Sequence, residues 1–321
     1  MSSSSMGNPA KGGGKPYGQA LLLILIWGSF AAVSRLALTS LDVFQMQFYL
    51  FGAAFLALFA WAAAGKRLSC LKGIGPRGWG WLLLLGALSF LYYFLYSFSL
   101  SLIDPVDASC INYMFPVWIT LLAVPINGER MTAGKAVSAA LGFIGMVVIV
   151  TGGDLTRLRL DNLPGLLCAA AASLSWALFS TLGKRGAVEI VAGNFVFAGV
   201  GFFLSCVLLV LFSRFAAPPL PALGAILWNG IMNFGVNYFL WFRLLKSSSA
   251  SFAASMSFIT PFVTLAFLAV FAGGEVTWAN VLGLAVILAG VAVQNASSGP
   301  SGFWGFRGRK SRRKTARREG P

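Results

Sequence analysis

Long apolar runs, separated by short polar segments, occupy nearly the whole chain from residue 17 to residue 295. A helix needs about 20 apolar residues to cross the hydrocarbon core of a bilayer. Ten runs reach or approach that length, and each predicts one membrane-spanning helix. The predicted spans are 17–38, 43–64, 78–100, 105–127, 133–152, 163–183, 192–212, 222–243, 249–271 and 278–295. The pattern therefore predicts an all-α integral membrane protein.

Composition supports a lipid-embedded chain and excludes several functions. Of 321 residues, 58% are hydrophobic and 10% are charged, against about 25% charged in soluble domains. There is no histidine, which removes the usual general base and the commonest metal ligand. The four cysteines form no CxxC pair, and no phosphate-binding GxxxxGK[ST] loop occurs. We expect no catalytic residue, no metal site, no cofactor and no ATP-driven pumping.

The positions of Lys and Arg predict the orientation. With the N-terminus in the cytoplasm, 20 of the 24 Lys and Arg residues fall on the cytoplasmic side and 4 fall outside, as the positive-inside rule requires. This predicts that both termini of a bacterial inner-membrane protein lie in the cytoplasm. We expect residues 1–16 to be disordered. The basic tail, 298–321, is expected to lie on anionic lipid rather than to bind nucleic acid, with an RNA-binding role as the alternative.

The chain repeats itself across its two halves. The segment LYYFLYSFSL (91–100) is echoed by VNYFLWFRLL (236–245), 145 positions later. Further matches at separations of 145–149 pair Trp27 with Trp176, Phe30 with Phe179, Pro116 with Pro261, Glu129 with Glu275, and Gly145 with Gly290. These matches predict two five-helix repeats, 17–152 and 163–297. Because five is odd, the second repeat is inverted in the membrane, a plan that recurs in secondary transporters with a midplane site.

Polar and aromatic side chains inside the spans predict a central cavity, since such residues face the interior of a bundle. Asn233, Asn237 and Trp241 recur at a spacing of four, which places them on one helix face. The predicted substrate-binding residues are Trp27, Ser89, Tyr92, Tyr96, Ser99, Asn112, Tyr113, Trp176, Asn233, Asn237, Tyr238, Trp241 and Ser257. For each polar residue, hydrogen bonding between helices is the alternative.

Prolines and glycines inside the spans predict features of the bundle. Pro116 and Pro261 would bend the fourth and ninth spans, where they act as gating hinges or only shape the cavity. Glycines in the fifth and tenth spans would allow close approach of helices, either within the bundle or between subunits of a weak dimer. These glycines are Gly142, Gly145, Gly283 and Gly290.

Several short motifs resemble one transporter family. They are Trp27-Gly28-Ser29-Phe30, Pro116 followed by Gly128-Glu129-Arg130, and Pro261 followed by Gly274-Glu275. Over roughly residues 17–295 the chain resembles the EamA-type drug/metabolite transporter superfamily, and its aromatic positions resemble the bacterial aromatic amino-acid exporter (YddG-like) subgroup. The resemblance implies a basket-shaped bundle with a central cavity lined by the first, third, fourth, sixth, eighth and ninth helices. The second half departs from the pattern, with Trp176-Ala177-Leu178-Phe179 in place of the first motif.

Together these features lead us to expect a secondary transporter that exports neutral, zwitterionic amino acids such as Phe, Trp, Met and Thr. No Asp, Glu or Lys lies in the middle of a span, so we expect facilitated transport without a proton relay. One alternative is a carrier of another neutral metabolite, such as a nucleoside or a sugar derivative. A carrier of lipophilic cationic drugs and a membrane-embedded enzyme are less consistent with the absence of a carboxylate within the first span and of paired carboxylates or histidine.

Overall fold

The computed structural model describes residues 16–128, 131–154, 162–183, 189–247 and 260–297. In this part of the chain the regular elements are helices, and no strand occurs. The α-helices are α1 (Pro16–Leu38), α2 (Val43–Ala64), α3 (Pro76–Leu102), α4 (Pro105–Asn112), α5 (Phe115–Asn127), α6 (Ala133–Thr151), α7 (Leu163–Gly183), α8 (Ile190–Phe212), α9 (Leu220–Leu227), α10 (Asn237–Ser247), α11 (Thr260–Phe271) and α12 (Trp278–Ser297). The all-α fold is therefore confirmed.

The helices begin and end close to the predicted span limits. Six helical stretches of the described chain are long and apolar enough to cross a membrane. They are Leu21–Leu38, Val43–Ala64, Pro76–Leu102, Pro105–Ile126, Leu163–Gly183 and Ile190–Phe212. Shorter apolar helices lie at Ala133–Ile149, Thr260–Phe271 and Trp278–Gly290. The protein is therefore a multi-pass membrane protein, and the count of ten spans stays a prediction.

The fourth predicted span is interrupted. Helix α4 ends at Asn112, and α5 begins at Phe115. The sequence explains the interruption, because in a continuous helix a proline at position 116 would offer no N–H to the carbonyl of Asn112 and would crowd it. The chain restarts its helix with Pro116 in the first turn, where proline is tolerated.

The eighth predicted span changes its helical form. Between α9 and α10 the chain forms a π-helix, Trp228–Val236, called the π segment below. A methyl group placed on Gly230 of this segment would lie 2.5 Å from the carbonyl oxygen of Leu50 in α2. The backbone of the π segment therefore crosses α2 at a distance that only glycine allows.

Burial is reversed relative to a soluble protein. Large apolar side chains such as Val210 and Phe203 are 81% and 67% exposed on the outer surface. Polar side chains such as Ser89, Asn229 and Asn233 are fully buried. Lipid solvates the outer apolar face, whereas polar groups must find partners inside the bundle.

Contacts between the two halves of the chain follow the same pattern in both directions. From the first half, α3 packs on α7 and α8 of the second half, and α1 packs on α11 of the second half. From the second half, the helical stretch 220–247 packs on α1 and α2 of the first half, and α7 packs on α4 and α5 of the first half. The two remaining major pairs, α2 with α8 and α6 with α12, join equivalent helices of the two halves. Exchanging the halves therefore leaves the pattern of neighbours unchanged.

Equivalent helices pack antiparallel. At one end of the α2–α8 pair, the Ser213 hydroxyl donates to the Asp42 carboxylate. At the other end, Arg67 Nη1 lies 3.2 Å from Glu189 Oε1. Asp42 and Glu189 are also the N-caps of α2 and α8, where a carboxylate satisfies free N–H groups.

Close packing also joins α6 and α12. A methyl group on Gly145 would lie 2.5 Å from the Gly283 carbonyl oxygen, and one on Gly290 would lie 3.0 Å from that of Ser138. A methyl group on Gly142 would instead meet the Val117 side chain of α5. These four glycines therefore serve contacts within the bundle.

Candidate functional site

A cavity of about 50 Å³ lies at the centre of the bundle. This volume admits a few water-sized groups. The walls come from α1, α3, α4, α7, α11, the first residue of α5 and the connection between α4 and α5. The lining residues are Trp27, Phe30, Tyr92, Tyr93, Tyr96, Asn112, Tyr113, Phe115, Trp176 and Thr260.

Aromatic rings from both halves form most of the wall. The centroids of the Trp27 and Trp176 rings are 5.7 Å apart, at right angles. The Tyr92 ring is 4.9 Å from the Trp176 ring, and Phe30 stacks on Tyr96 at 5.6 Å. These distances fall in the range of favourable aromatic pairs. The rings hold one another in place, so the wall is organised before any substrate arrives.

Two polar atoms of the wall have no hydrogen-bond partner among the described residues. They are Asn112 Oδ1 and Thr260 Oγ1, in residues only 3% and 4% exposed. Buried polar groups normally have a partner. The Tyr96 and Tyr113 hydroxyls do have partners, 2.8 Å away in Ser109 and 2.7 Å away in Thr264. Asn112 and Thr260 are therefore the groups best placed to bond a ligand.

Three predicted residues form a second layer behind the wall. The Ser89 and Tyr238 hydroxyl oxygens lie 3.0 Å apart, and the Tyr238 ring is 5.7 Å from that of Trp176. The Trp241 ring is 5.1 Å from that of Trp27. These side chains orient the two tryptophans of the wall.

The predicted asparagines meet α1 instead of the cavity. Asn233 donates through Nδ2 to Asn229 Oδ1 at 3.0 Å, and Asn229 donates to Ser34 Oγ at 2.9 Å. Asn237 donates through Nδ2 to the Leu23 carbonyl at 3.3 Å. Asn229 and Asn237 thus form hydrogen bonds between helices, the alternative that membrane bundles commonly use, and Asn233 bonds Asn229 within the π segment.

The remaining predicted residues have varied positions. Ser99 is fully buried and does not line the cavity. Ser257 lies outside the described residues. Pro116 and Pro261 are each the second residue of a helix, α5 and α11. A hinge role for these two prolines stays a prediction.

Four lining residues were not among those predicted: Phe30, Tyr93, Phe115 and Thr260. Phe30 lies three residues after Trp27, a helical spacing that places both on one face. Thr260 is the polar residue directly before Pro261. These two signals are present in the sequence, whereas the inward position of Tyr93 and Phe115 depends on how neighbouring helices pack.

Charged groups stand apart from the cavity, and none of its lining residues is charged. Asp107, in the first turn of α4, accepts a hydrogen bond from Asn280 Nδ2 at 2.6 Å. Arg35 donates to the Leu100 carbonyl at 3.2 Å. Among the described residues, no group of three His, Cys, Asp or Glu side chains gathers where a metal ion would bind.

Comparison with known proteins identifies relatives of this chain. The sequence model of the EamA-like transporter family matches it twice, over residues 15–151 and 163–296. The aromatic amino acid exporter YddG of Ancylobacter novellus is 29% identical over 84% of this chain and 93% of its own length. An uncharacterized transporter of Archaeoglobus fulgidus is 25% identical over 86% of this chain and 95% of its own length.

Two further similarities were found, one to a curated protein and one to a solved structure. Protein PecM of Dickeya dadantii is 26% identical over 72% of this chain and 78% of its own length. A solved crystal structure shares the fold with a TM-score of 0.65 and 24% identity, over 88% of this chain and 96% of that one.

Proposed function

Because this chain belongs to the EamA-like transporter family, we propose that it exports neutral amino acids with aromatic or other apolar side chains across the bacterial inner membrane. As a member of that family it is a membrane transporter of small molecules and not an enzyme. The substrates proposed are those expected from the sequence, such as Phe, Trp, Met and Thr.

The observation that carries this proposal is the composition of the cavity wall. Eight of the ten lining residues are aromatic, and the other two are Asn112 and Thr260. An apolar wall with few polar groups suits a ligand with an apolar body and a small polar end. We propose that Trp27, Tyr92 and Trp176 contact the apolar body. The similarity to a protein named as an aromatic amino acid exporter supports the same substrate class.

Alternating access is proposed as the mechanism. It requires ten spans in two inverted halves, 17–152 and 163–297, with the site between them. The unchanged pattern of neighbours on exchanging the halves, and the antiparallel α2–α8 pair, support this arrangement. Exchange of the two conformations would open the cavity first to the cytoplasm, where both termini are proposed to lie, and then to the opposite side.

Counterflow of labelled phenylalanine into proteoliposomes that contain the full-length protein tests the substrate. We expect uptake driven by internal unlabelled phenylalanine. Trp27→Ala should lower the initial rate at least about tenfold, because a buried aromatic contact is lost. Trp79→Ala is the matched control, since Trp79 is 36% exposed near the start of α3 and should leave the rate unchanged.

Two results would contradict the proposal. Absence of counterflow with Phe, Trp, Met and Thr would exclude these substrates. Counterflow with nucleosides or sugar derivatives but with none of these amino acids would establish the alternative carrier.

Proton coupling is tested in the same vesicles. We expect equal counterflow with and without a pH gradient, because no carboxylate lines the cavity and Asp107 is engaged with Asn280. Proton movement induced by phenylalanine, and abolished by Asp107→Asn, would show that α4 carries a relay.

A further inference from the structure

The cavity offers different partners to the two charged ends of an amino acid. A zwitterionic substrate carries an ammonium group, which needs acceptors, and a carboxylate, which needs donors or a cation. The unpartnered polar atoms of the wall are Asn112 Oδ1, which accepts, and the Thr260 hydroxyl, a neutral group that can donate or accept; most of the remaining wall consists of ring faces.

The ammonium group finds suitable partners. A cation over the face of Trp or Tyr is attracted by the ring quadrupole, and aromatic cages are a common way to bind amines. Trp27, Tyr92 and Trp176 all line the cavity, and the Trp176 ring centroid lies 5.7 Å from that of Trp27 and 4.9 Å from that of Tyr92. Asn112 adds a carbonyl oxygen that is buried and has no partner in the described chain. The cavity volume of about 50 Å³ is on the scale of such a head group.

The carboxylate finds no cationic partner. The sequence has no Lys or Arg between Arg77 and Arg130, between Arg159 and Lys184, or between Lys246 and Arg307. These stretches include α4, α7 and α11, and the part of α3 that follows Arg77 in its first turn. On α1, the one nearby basic residue is Arg35, which is bonded to the Leu100 carbonyl. A carboxylate bound in the wall would have to lose water without gaining a charge partner.

We infer that the cavity anchors its substrate by the ammonium end, with Asn112 Oδ1 as acceptor and the rings of Trp27, Tyr92 and Trp176 as the cage. Primary arylalkylamines, which keep the ammonium and lack the carboxylate, are therefore ligands of this site. This inference rests on the proposed function for the location of the site, and it adds which chemical end of the substrate is recognised.

Competition binding in detergent tests the inference. It avoids a transport assay, in which the uncharged form of the amine would cross the bilayer without the protein. Labelled phenylalanine is bound to the purified full-length protein in detergent at neutral pH, and two analogues compete. We expect 2-phenylethylamine to compete at least as well as unlabelled phenylalanine. We expect 3-phenylpropionate, which lacks the amine, to compete at least about tenfold more weakly, because it presents a charge with no partner.

Each outcome separates the inference from the proposed function. Competition by 3-phenylpropionate but not by 2-phenylethylamine would overturn the inference and leave the exporter proposal intact. If labelled phenylalanine does not bind but labelled 2-phenylethylamine does, the inference stands and the amino-acid substrate is wrong. If neither label binds, both are overturned.

A variant locates the anchor. Asn112→Asp places a carboxylate on the same side-chain frame and should tighten binding of 2-phenylethylamine about tenfold, since a full opposite charge attracts the ammonium more strongly than the dipole of a neutral amide does. Asn194→Asp is the control, because Asn194 in α8 is equally buried, has an unpartnered Nδ2, and does not line the cavity. Equal tightening in both variants, or weakening in Asn112→Asp with the protein still folded, would overturn the assignment to Asn112.

Discussion

Two helices carry nearly the same sequence but contribute differently to the site. Helix α3 contains LYYFLYSFSL and is α-helical throughout, whereas VNYFLWFRLL follows the π segment. In α3, Tyr92 and Tyr96 line the cavity. At the equivalent positions of the second copy, Asn237 bonds the Leu23 carbonyl and Trp241 packs behind Trp27. The two segments therefore share their sequence pattern and their type of neighbours, while the residues at the cavity-facing positions of α3 differ from those of the second segment.

The part that both copies keep is a pair of tyrosines at the centre. Tyr93 and Tyr238 are 2% and 1% exposed, and their ring centroids are 6.3 Å apart. The Tyr93 hydroxyl donates to the Asn233 carbonyl at 3.2 Å, and the Tyr238 hydroxyl lies 3.0 Å from Ser89 Oγ. Tyr93 therefore bonds Asn233, which lies about one turn before Tyr238. In the same way, Tyr238 bonds Ser89, which lies about one turn before Tyr93. The two helices are joined by a reciprocal contact that does not depend on substrate.

The largest expected effect comes from the crossing of the π segment over α2. Gly230→Ala would press a methyl group against the Leu50 carbonyl and should destabilise the protein by about 3 kcal/mol, the upper end of the range for overpacking, because the neighbour is backbone. Gly86→Ala in α3 meets the Val200 side chain and should cost less, about 1 kcal/mol, since part of the clash is offset by better helix propensity. Thermal unfolding in detergent measures both. Gly224→Ala, with no neighbour within 4 Å, is the control.

Equal losses of stability in Gly86→Ala and Gly230→Ala would contradict the expected difference between α3 and the π segment. A stable Gly230→Ala protein would show that the crossing is looser than 2.5 Å implies.

The next effect separates the residues that face the cavity from those that pack. Tyr92→Ala should weaken phenylalanine binding about tenfold, because it removes an aromatic face from the wall. Asn237→Ala should leave binding unchanged and cost about 1 kcal/mol of stability, because it removes the hydrogen bond to the Leu23 carbonyl. Equilibrium binding and thermal unfolding on the same samples give both values. Loss of binding in Asn237→Ala at unchanged stability would assign Asn237 to the substrate site, as its spacing predicts.

The smallest effect tests the tyrosine pair. Tyr93→Phe and Tyr238→Phe each remove one buried hydrogen bond and should each cost about 1 kcal/mol. Because the rings remain, the effect on phenylalanine binding should be small in both variants. Thermal unfolding of the two single variants and of the double variant measures the contributions. A much larger loss in one of the single variants would show that the two copies are not joined reciprocally.

Much of the fold could be predicted from the length and order of the apolar runs. Lipid requires an apolar surface of fixed thickness, so helix limits follow from composition, as α2 at Val43–Ala64 illustrates. The break after Asn112 had a local signal in Pro116. The π segment had no such local signal in the sequence. Its helical form accompanies the close approach of Gly230 to Leu50 in α2, and these two residues are far apart in the sequence.

The site was only partly predictable for a related reason. Aromatic residues near the middle of a span, such as Trp27 and Trp176, do line the cavity. Helical spacing placed Asn233 and Asn237 correctly on a common face, but spacing does not reveal which neighbour that face meets. The structure turns it towards α1. Periodicity gives the relative direction of side chains on one helix, and the rotation of that helix is decided by its packing.

The two ends of the α2–α8 pair are held by different contacts. One end has the Arg67–Glu189 ion pair, and at the other end the neutral Ser213 hydroxyl donates to Asp42. Arg67 and Glu189 are 34% and 31% exposed, so dissolved salt weakens their attraction, with a screening length of about 8 Å at physiological ionic strength. The Ser213 hydroxyl bonds Asp42 at contact distance and without a second charge, which makes that end much less sensitive to salt. Since the two contacts lie at opposite ends of a membrane-length helix pair, salt on the Arg67 side weakens the contact there, whereas salt on the other side has little effect. The free energy involved is about 0–1 kcal/mol, as for other exposed ion pairs, so ionic strength has a small effect that is confined to the Arg67 end of the pair.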